Sequence, residues 1–529
     1  MKYSYEENSA SAFYERMLGD RSPYEQRAEE CALLTIQSIM MPDGDSSSSE
    51  VHQPYQSVGS RGVNNLASKL LLALLPPNYS VFRLVADDKT KSEMGANKEF
   101  QAEIDAAFGK MERETQTSIE TSGIRVPVFE GIRHAIVTGN FLLHRPADKS
   151  PRMFNLKQYI VSRQANGDVM KIVVKEQVDK DNLTDKQKAC LNETELSSSY
   201  QDQAYGVGKH DVCVYTCVKR EDNLWKIHQE IKGQLVEGSE GTNPIDAPEF
   251  IAIRWRKIDG ENYGRSFVEE YLGDLKSLES LSQSLTEGAA AISKILIGVD
   301  PNGVTKPEDL EKDSGSIIRA RKDDIFFLQS EKHIDLGFAN QRADAIEKRL
   351  ELAFLLNTAV QRQAERVTAE EIRFVAQELE DTLGGVYSIQ SNELLRPLVN
   401  RELKVLAKQG KLPMLPKDSV KIQIVAGLEA LGRSHELARL DTFVRDIGSL
   451  FGPESIGKYI DPAVYLKRRA TALAINVDDG LLRSTEQITQ IEQAQTMTDM
   501  ANSRVAPEIV KQAGLAAQQG QAPPQGQPA

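Results

Sequence analysis

Charged residues crowd one short break of this chain, Gln361-Arg362-Gln363-Ala364-Glu365-Arg366-Val367, set between two stretches whose apolar spacing predicts helices. The break carries Arg362, Glu365 and Arg366, so two guanidinium groups and one carboxylate stand close together in the chain. A single such segment is an ordinary connector. Its meaning changes if many copies meet around an axis, because one arginine then becomes a ring of positive charge. Thr368 with Glu371 restarts the helix as a capping box, the threonine capping and the glutamate reaching back. Two carboxylate groups invite a second chemistry. Glu378, Glu380 and Asp381, and separately Glu269, Glu270 and Asp274, could hold magnesium for phosphodiester cleavage. The plainer reading is a solvated helix face, or a face of ion pairs between subunits.

Other reactive patterns are missing. No phosphate-cradling loop ending in Lys-Ser/Thr occurs; its nearest imitation, Tyr263-Gly264-Arg265-Ser266, follows no buried strand. Gly59-Ser60-Arg61-Gly62 lacks the third glycine and the preceding strand of a dinucleotide site, and reads as a helix start. The histidines include no pair at metal-ligand spacing on one helix, and Cys31, Cys190, Cys213 and Cys217 are too scattered for a zinc site or a disulfide framework, so buried free thiols, no metal and no cofactor are expected. A net charge of −13 is unlike that of a protein that coats DNA, although an acidic wall lacking the counterion-release drive would let nucleic acid slide past. The first residues carry no secretory pattern and no apolar run reaches about 18 residues, which points to a reducing cytoplasm and no membrane.

The elements that position the arginines are long helices. Before the break the stripe is Ala343, Ile346, Leu350, Ala353, Asn357 and Val360; after it, Ile372, Val375, Leu379, Val386, Leu394, Leu398 and Leu403. The second helix would run roughly forty residues or about 60 Å, bent at Gly384-Gly385 and Pro397. The chain before these helices reads as mixed α+β. Helices are expected over 10–41, with Pro23 opening a second piece behind Ser22, and over 56–75, 99–122 and 125–139. Strands are expected over 81–86, 140–144, 158–163, 169–178, 212–218, 224–231 and 250–256, with a hairpin turn at Asn166-Gly167. A long helix is expected over 266–299, then a small β-rich insert with strands at 316–320 and 325–329. A strand at 421–425 and helices at 434–451, 461–475 and 484–502 follow. The uncharged Gln/Pro/Gly/Ala tail from 512 is expected to be disordered.

Several stretches resemble one family: Pro23 to Ala28, Val58-Gly59-Ser60-Arg61-Gly62-Val63-Asn64-Asn65-Leu66-Ala67-Ser68-Lys69-Leu70, Tyr263 to Leu275, Ala364 to Ile372, and Glu380 to Ser388. They are similar to the portal, or head-to-tail connector, of short-tailed podoviruses that carry their own RNA polymerase, in order over most of residues 10 to 430. The resemblance implies a predominantly α, mixed α+β portal fold forming a homo-oligomeric ring, usually of twelve subunits, at one capsid vertex of the virion, assembled in the host cytoplasm. It implies a wing over 1–265 and 368–432, stem helices over 266–299 and 340–360, a clip over 300–339, a tunnel loop over 361–367, a crown over 433–505 and a disordered tail over 506–529. Double-stranded DNA would pass through the channel. Capsid and scaffold proteins, the terminase large subunit, a tail adaptor protein and internal core proteins would dock on the ring. No enzyme activity is implied, packaging ATP hydrolysis belonging to the terminase. A magnesium-dependent nuclease, or a structural assembly protein without a central hole, are the alternatives.

Overall fold

The computed structural model describes residues 9–42, 50–77, 82–86, 98–191, 211–293, 296–311, 313, 315–328, 333–356, 379, 383, 385–413, 420–424, 432–452 and 465–466. The chain divides into two units, 1–431 and 432–529. In the first, α1 (Ala10–Leu33) starts at Ser9, whose hydroxyl accepts from the Ala12 amide at 3.1 Å. Pro23 does not restart this helix but lies inside it, a correction to the expected break. The lost backbone bond is outweighed by packing on both sides of the proline: Arg21 is buried, bonding the Lys157 and Tyr159 carbonyls, and Ala28, Cys31 and Ala32 are buried beyond. The helix also stops earlier than expected, giving way to a short 3-10 turn at Gln37–Ile39.

Helix α2 (Val58–Leu74) buries the stripe Val63, Leu66, Leu70 and Leu74, as its spacing requires, and Gly59 and Gly62 fall in its first turns, not in a nucleotide loop. Gly59 is needed there because a Cβ would stand 2.5 Å from the Leu34 carbonyl oxygen. Helix α3 (Lys98–Thr121) and helix α4 (Arg125–Thr138) follow, α4 ending on Gly139 at φ 81. Between α2 and α3 runs β1 (Phe82–Ala86), and after α4 come β2 (Asn140–His144) and β3 (Arg152–Phe154).

A larger antiparallel sheet takes β4 (Tyr159–Arg163), β5 (Val169–Asp179), β6 (Asp211–Glu221), β7 (Leu224–Ile231) and β8 (Gln234–Leu235) in that order, with β9 (Gly241–Pro244) on β7. The Asn166-Gly167 hairpin forms as its turn chemistry dictates, Gly167 at φ 93. β10 (Phe250–Arg254) closes a smaller sheet in the order β10-β2-β3. Its strands β2 and β10 are nearly all buried, which is why they read as continuous apolar runs.

After β10 the fold departs from the sequence expectation. Residues 266–299 are not one helix: a 3-10 turn leads into α5 (Leu272–Ser293), and Leu296–Val299 is strand β11. The run Ile295-Leu296-Ile297-Gly298-Val299 is apolar at consecutive positions, so no single helix stripe accommodates it, and Leu296–Val299 pairs with β12 (Ile325–Leu328) instead. The expected strand at 316–320 is absent; Ile317 is 99% exposed there. Asp324 ties the insert together. Burial opposes its ionisation, yet donors from Thr305 and Val304 at 2.8 to 3.0 Å outweigh that and hold its carboxyl below the usual range. The next helix, α6 (His333–Ala353), starts inside the expected insert and ends before Asn357 and Val360. It lies antiparallel on α5, with Arg349 bonded to Asp274 at 2.8 Å and Leu336 against Gly288. Ala343, Ile346 and Leu350 are buried as expected, Ala353 only partly.

The returning helix comprises α7 (Gly385–Gln390), one π turn (Ser391–Leu395) and α8 (Arg396–Lys408). A π turn, and not a break, stands just before Pro397, the residue at which a bend was expected: proline cannot donate to the preceding turn, and the wider turn absorbs the mismatch. β13 (Val420–Ile424) then pairs with β1 across most of the chain length, Phe82 opposite Ile424. In the second unit, α9 (Gly432–Phe451) is described, with Tyr465 donating to Asp441. The helices expected over 461–475 and 484–502, apart from residues 465 and 466, and the tail lie outside the described residues. All four cysteines are free; Cys31 and Cys217 are buried, Cys190 and Cys213 half-buried, and burial pushes the Cys31 thiol up to about 12.

His134 on α4 is almost wholly buried, and burial with the neighbouring Arg133 pushes it down to about 4. It stays neutral in the fold while an unfolded histidine takes up a proton near 6.5, so stability drains as pH falls through that window, by up to about 1.4 kcal/mol per pH unit. Wild type should lose thermal stability relative to His134→Leu between pH 6.5 and 4.5; a constant gap between the two proteins across those pH values would contradict this.

Candidate functional site

The arginine segment of the sequence analysis, Arg362, Glu365 and Arg366, and the cap residues Thr368 and Glu371, lie outside the described residues, as do Glu378, Glu380 and Asp381. The structure describes the chain on either side of them. On the leading side, α6 ends on a buried plug. Phe354 is fully buried, edge-on to Phe267 at 5.4 Å, with Tyr271 at 6.0 Å. The ring rests on the backbone of α2 at Gly62, where a Cβ would come 2.5 Å from the Phe354 Cγ. This is a close approach that only glycine permits.

The helix stop itself is unusual. Leu355 stands at φ 56, in the left-handed region, with its amide bonded to the Leu352 carbonyl and the Leu356 amide reaching the Glu351 carbonyl at 2.8 Å. That is the geometry of a helix stop that glycine normally makes, and a residue with a Cβ is disfavoured there by roughly 1–2 kcal/mol. Two side chains of α2 grip it: Asn65 Nδ2 donates to the carbonyls of Phe354 and Leu355 at 3.1 and 2.9 Å, and Lys69 Nζ donates to the Leu355 carbonyl at 3.0 Å.

On the trailing side, Leu379, Leu383 and Val386 are buried, and the helix is locked by carboxylates. Glu393, on the π turn, accepts from the Arg254 amide at 3.0 Å and from its guanidinium, and lies 4.0 Å from Arg163. Burial pushes Arg163 down, Glu393 opposes this and Arg254 adds to it, leaving the guanidinium at about 10. One turn of α8 carries the other lock. Glu402 accepts from Nη2 and Nε of Arg145 at 3.0 and 3.1 Å and from the Ser118 hydroxyl at 2.6 Å, while Arg401 donates to the Arg145 carbonyl, to Asn243 and to Glu249. Glu249 also meets His144 at 3.0 Å, and although its own burial opposes ionisation, His144 and Arg401 hold it low.

The carboxylates that suggested magnesium are used differently where they are described. Glu269 pairs with Arg265 at 3.1 Å, Glu270 with Arg256 at 2.7 Å and Asp274 with Arg349 at 2.8 Å, so each faces an arginine, and not another acid. Among the described residues no group of three His, Cys, Asp or Glu side chains is placed to hold a metal. The Asn65 and Lys69 grip was missed in the sequence. Its only signal was the i, i+4 spacing behind Gly62, inside a stretch already matched to a family.

Residues 7–480 match the family described as bacteriophage head to tail connecting protein. The chain belongs to the phage head-to-tail connector family. It is 39% identical to the portal protein of Escherichia phage T7 over 97% of this chain and 94% of that protein. It is 38% identical to the portal protein of Enterobacteria phage T3 over 94% and 92%, and 30% identical to that of Pseudomonas phage phiKMV over 92% and 94%.

Substitutions on both sides probe this frame. Gly62→Ala forces the Phe354 ring off α2 and should cost about 1–3 kcal/mol by overpacking. Gly19→Ala, on α1 with nothing within 4 Å of its added methyl, should cost nothing, and an equal loss in both would refute the close-approach argument. Glu402→Ala leaves Arg145 buried without its partner and should cost about 3–5 kcal/mol in urea unfolding, part of which Arg145→Ala in the same chain restores. A loss under about 1 kcal/mol would refute the lock.

Proposed function

We propose that this chain forms the portal of a short-tailed phage: a ring, twelve subunits round, at one capsid vertex, through which DNA is packaged and ejected and on which terminase and tail components dock. The observation that carries this reading is kinship at 39% identity over nearly the full length with a protein named for that role. In this reading α5 and α6 are the stem, the first shortened from the sequence expectation to Leu272–Ser293 and the second shifted toward the N-terminus to His333–Ala353, and the insert with β11 and β12 is the clip. The sheets, α1 to α4, α7 and α8 are the wing, 433–505 the crown, and 361–367 the tunnel loop.

The mechanism is passive. Twelve chains of −13 carry about −156, and an acidic wall repels phosphate at short range, so DNA passes without sticking. Arg362 and Arg366, turned inward, form narrow positive rings that hold the duplex by its phosphates without reading sequence. The chain is structural, not catalytic, and ATP hydrolysis resides in the separate terminase. The packed plug before the segment and the ion-paired helix after it support this assignment, because a loop that resists DNA under load needs fixed ends.

Arg366→Ala particles should package normally and then leak DNA, read as the fraction of filled particles over time; unchanged retention removes Arg366 from the gate. Negative-stain images and mass photometry of the purified protein should show closed rings near twelve times the 58.8 kDa chain. A monomer that cuts plasmid in magnesium would restore the nuclease reading.

A further inference from the structure

Four residues other than glycine adopt positive φ among the described residues: Asp222, Asn223, Lys232 and Leu355. The first three occupy the tight turns between β6, β7 and β8, where polar residues adopt that conformation to reverse a hairpin. Leu355 has no such turn to make. It is apolar, 6% exposed, and ends a helix whose own sequence favours going on. The spacing Ala343, Ile346, Leu350, Ala353, Asn357, Val360 keeps the helical period past the stop, and no glycine, proline or cap residue stands at 354–356 to end it. Local preference and observed backbone therefore disagree at this residue, which is where a tertiary contact has taken control.

We propose that Asn65 and Lys69 are positioning residues that hold Leu355 in the left-handed conformation and so set where, and in which direction, the chain leaves α6 for the DNA-facing segment. The inference rests on the reading of 361–367 as that segment. Asn65 and Lys69 are one helical turn apart on α2, so both face the same neighbour, and Gly62 on that face lets the end of α6 come close enough to be reached. Their donors occupy the carbonyls of Phe354 and Leu355, two acceptors that a continuing helix would use for its next turn. The Lys69 ammonium also sits against the negative end of the helix dipole, where a cation is stabilised. The grip thus favours the stopped helix over the continued one, and the face of α2 carrying Gly62, Asn65 and Lys69 is a receptor for a helix end.

The test is a structure by cryo-electron microscopy of rings carrying Asn65→Ala with Lys69→Met, beside DNA retention in particles built from them. Leu355 should move from φ 56 to the right-handed region, α6 should lengthen by at least a turn, and filled particles should lose DNA. Adding Leu355→Gly, which takes the left-handed conformation without strain, should restore both the stop and retention, a rescue that loss of packing alone would not produce. If the double variant does not assemble, the isosteric Asn65→Asp, which withdraws the donor while keeping shape, should give the same shift. Leu355 remaining left-handed in the variant rings overturns the inference. Leu355 shifting with DNA retention unchanged upholds it and removes the DNA-holding reading of 361–367.

Discussion

Glu402 has 1% of its side chain exposed and takes two nitrogens of Arg145, a partner 257 residues away in the chain. A buried ion pair contributes little net stability against an apolar replacement, because both charges must leave water. What it does is refuse every other arrangement: a helix slipped by one residue would strand Glu402, Arg145 and Arg401 without partners. Glu393 imposes the same condition at the π turn, facing Arg254 and Arg163 at once. The long excursion from β10 through α5, the insert and α6 is therefore free to extend from the sheets only because its return is registered to them at two charged points. With the β1 and β13 pair, these contacts close unit 1 from both ends of its sequence.

The leading side of the excursion is fixed by shape instead of charge. Gly62 removes one side chain so that Phe354 can reach the backbone of α2, and Phe267 and Tyr271 complete the aromatic seat. Phe267 also packs against Trp255, at the end of β10, so the plug at the end of α6 is continuous with the core where the chain first left the sheets. Departure and arrival thus share one cluster. A load applied along α6 would be passed to the sheets through packed rings, which yield little, and not through a flexible connection.

Much of this fold was legible because periodicity reports local burial. The stripes on α2 and α6, the Asn166-Gly167 hairpin and the apolar β2 and β10 were read from spacing alone, and their burial follows. The failures have a common cause. Pro23 inside α1, the strand at Leu296–Val299 and the stop at Leu355 are all decided by residues far away: Lys157 and Tyr159, β12, and Asn65 with Lys69. The strand expected at 316–320 failed the other way, since that segment finds no partner strand among the described residues. Of the candidate site, only the frame can be compared with expectation. Its ion pairs were invisible beforehand because nothing local marks a glutamate as the partner of an arginine more than a hundred residues distant.

Where the arginines go bears on how so acidic a chain could hold DNA at all. Arg21, Arg145, Arg254 and Arg401 are buried, and each is neutralised by a glutamate within about 3 Å: Glu25, Glu402, Glu393 and Glu249. Such closed pairs cast little field beyond themselves, so the surplus of −13 belongs to the other groups. Against that background a cation with no partner at hand would stand out, and screening confines its effect to about 10 Å. A narrow ring of arginine would therefore act only on phosphate already inside it. In the proposed channel, grip and slide would coexist on these terms, the attractive surface being thin and the repulsive one long.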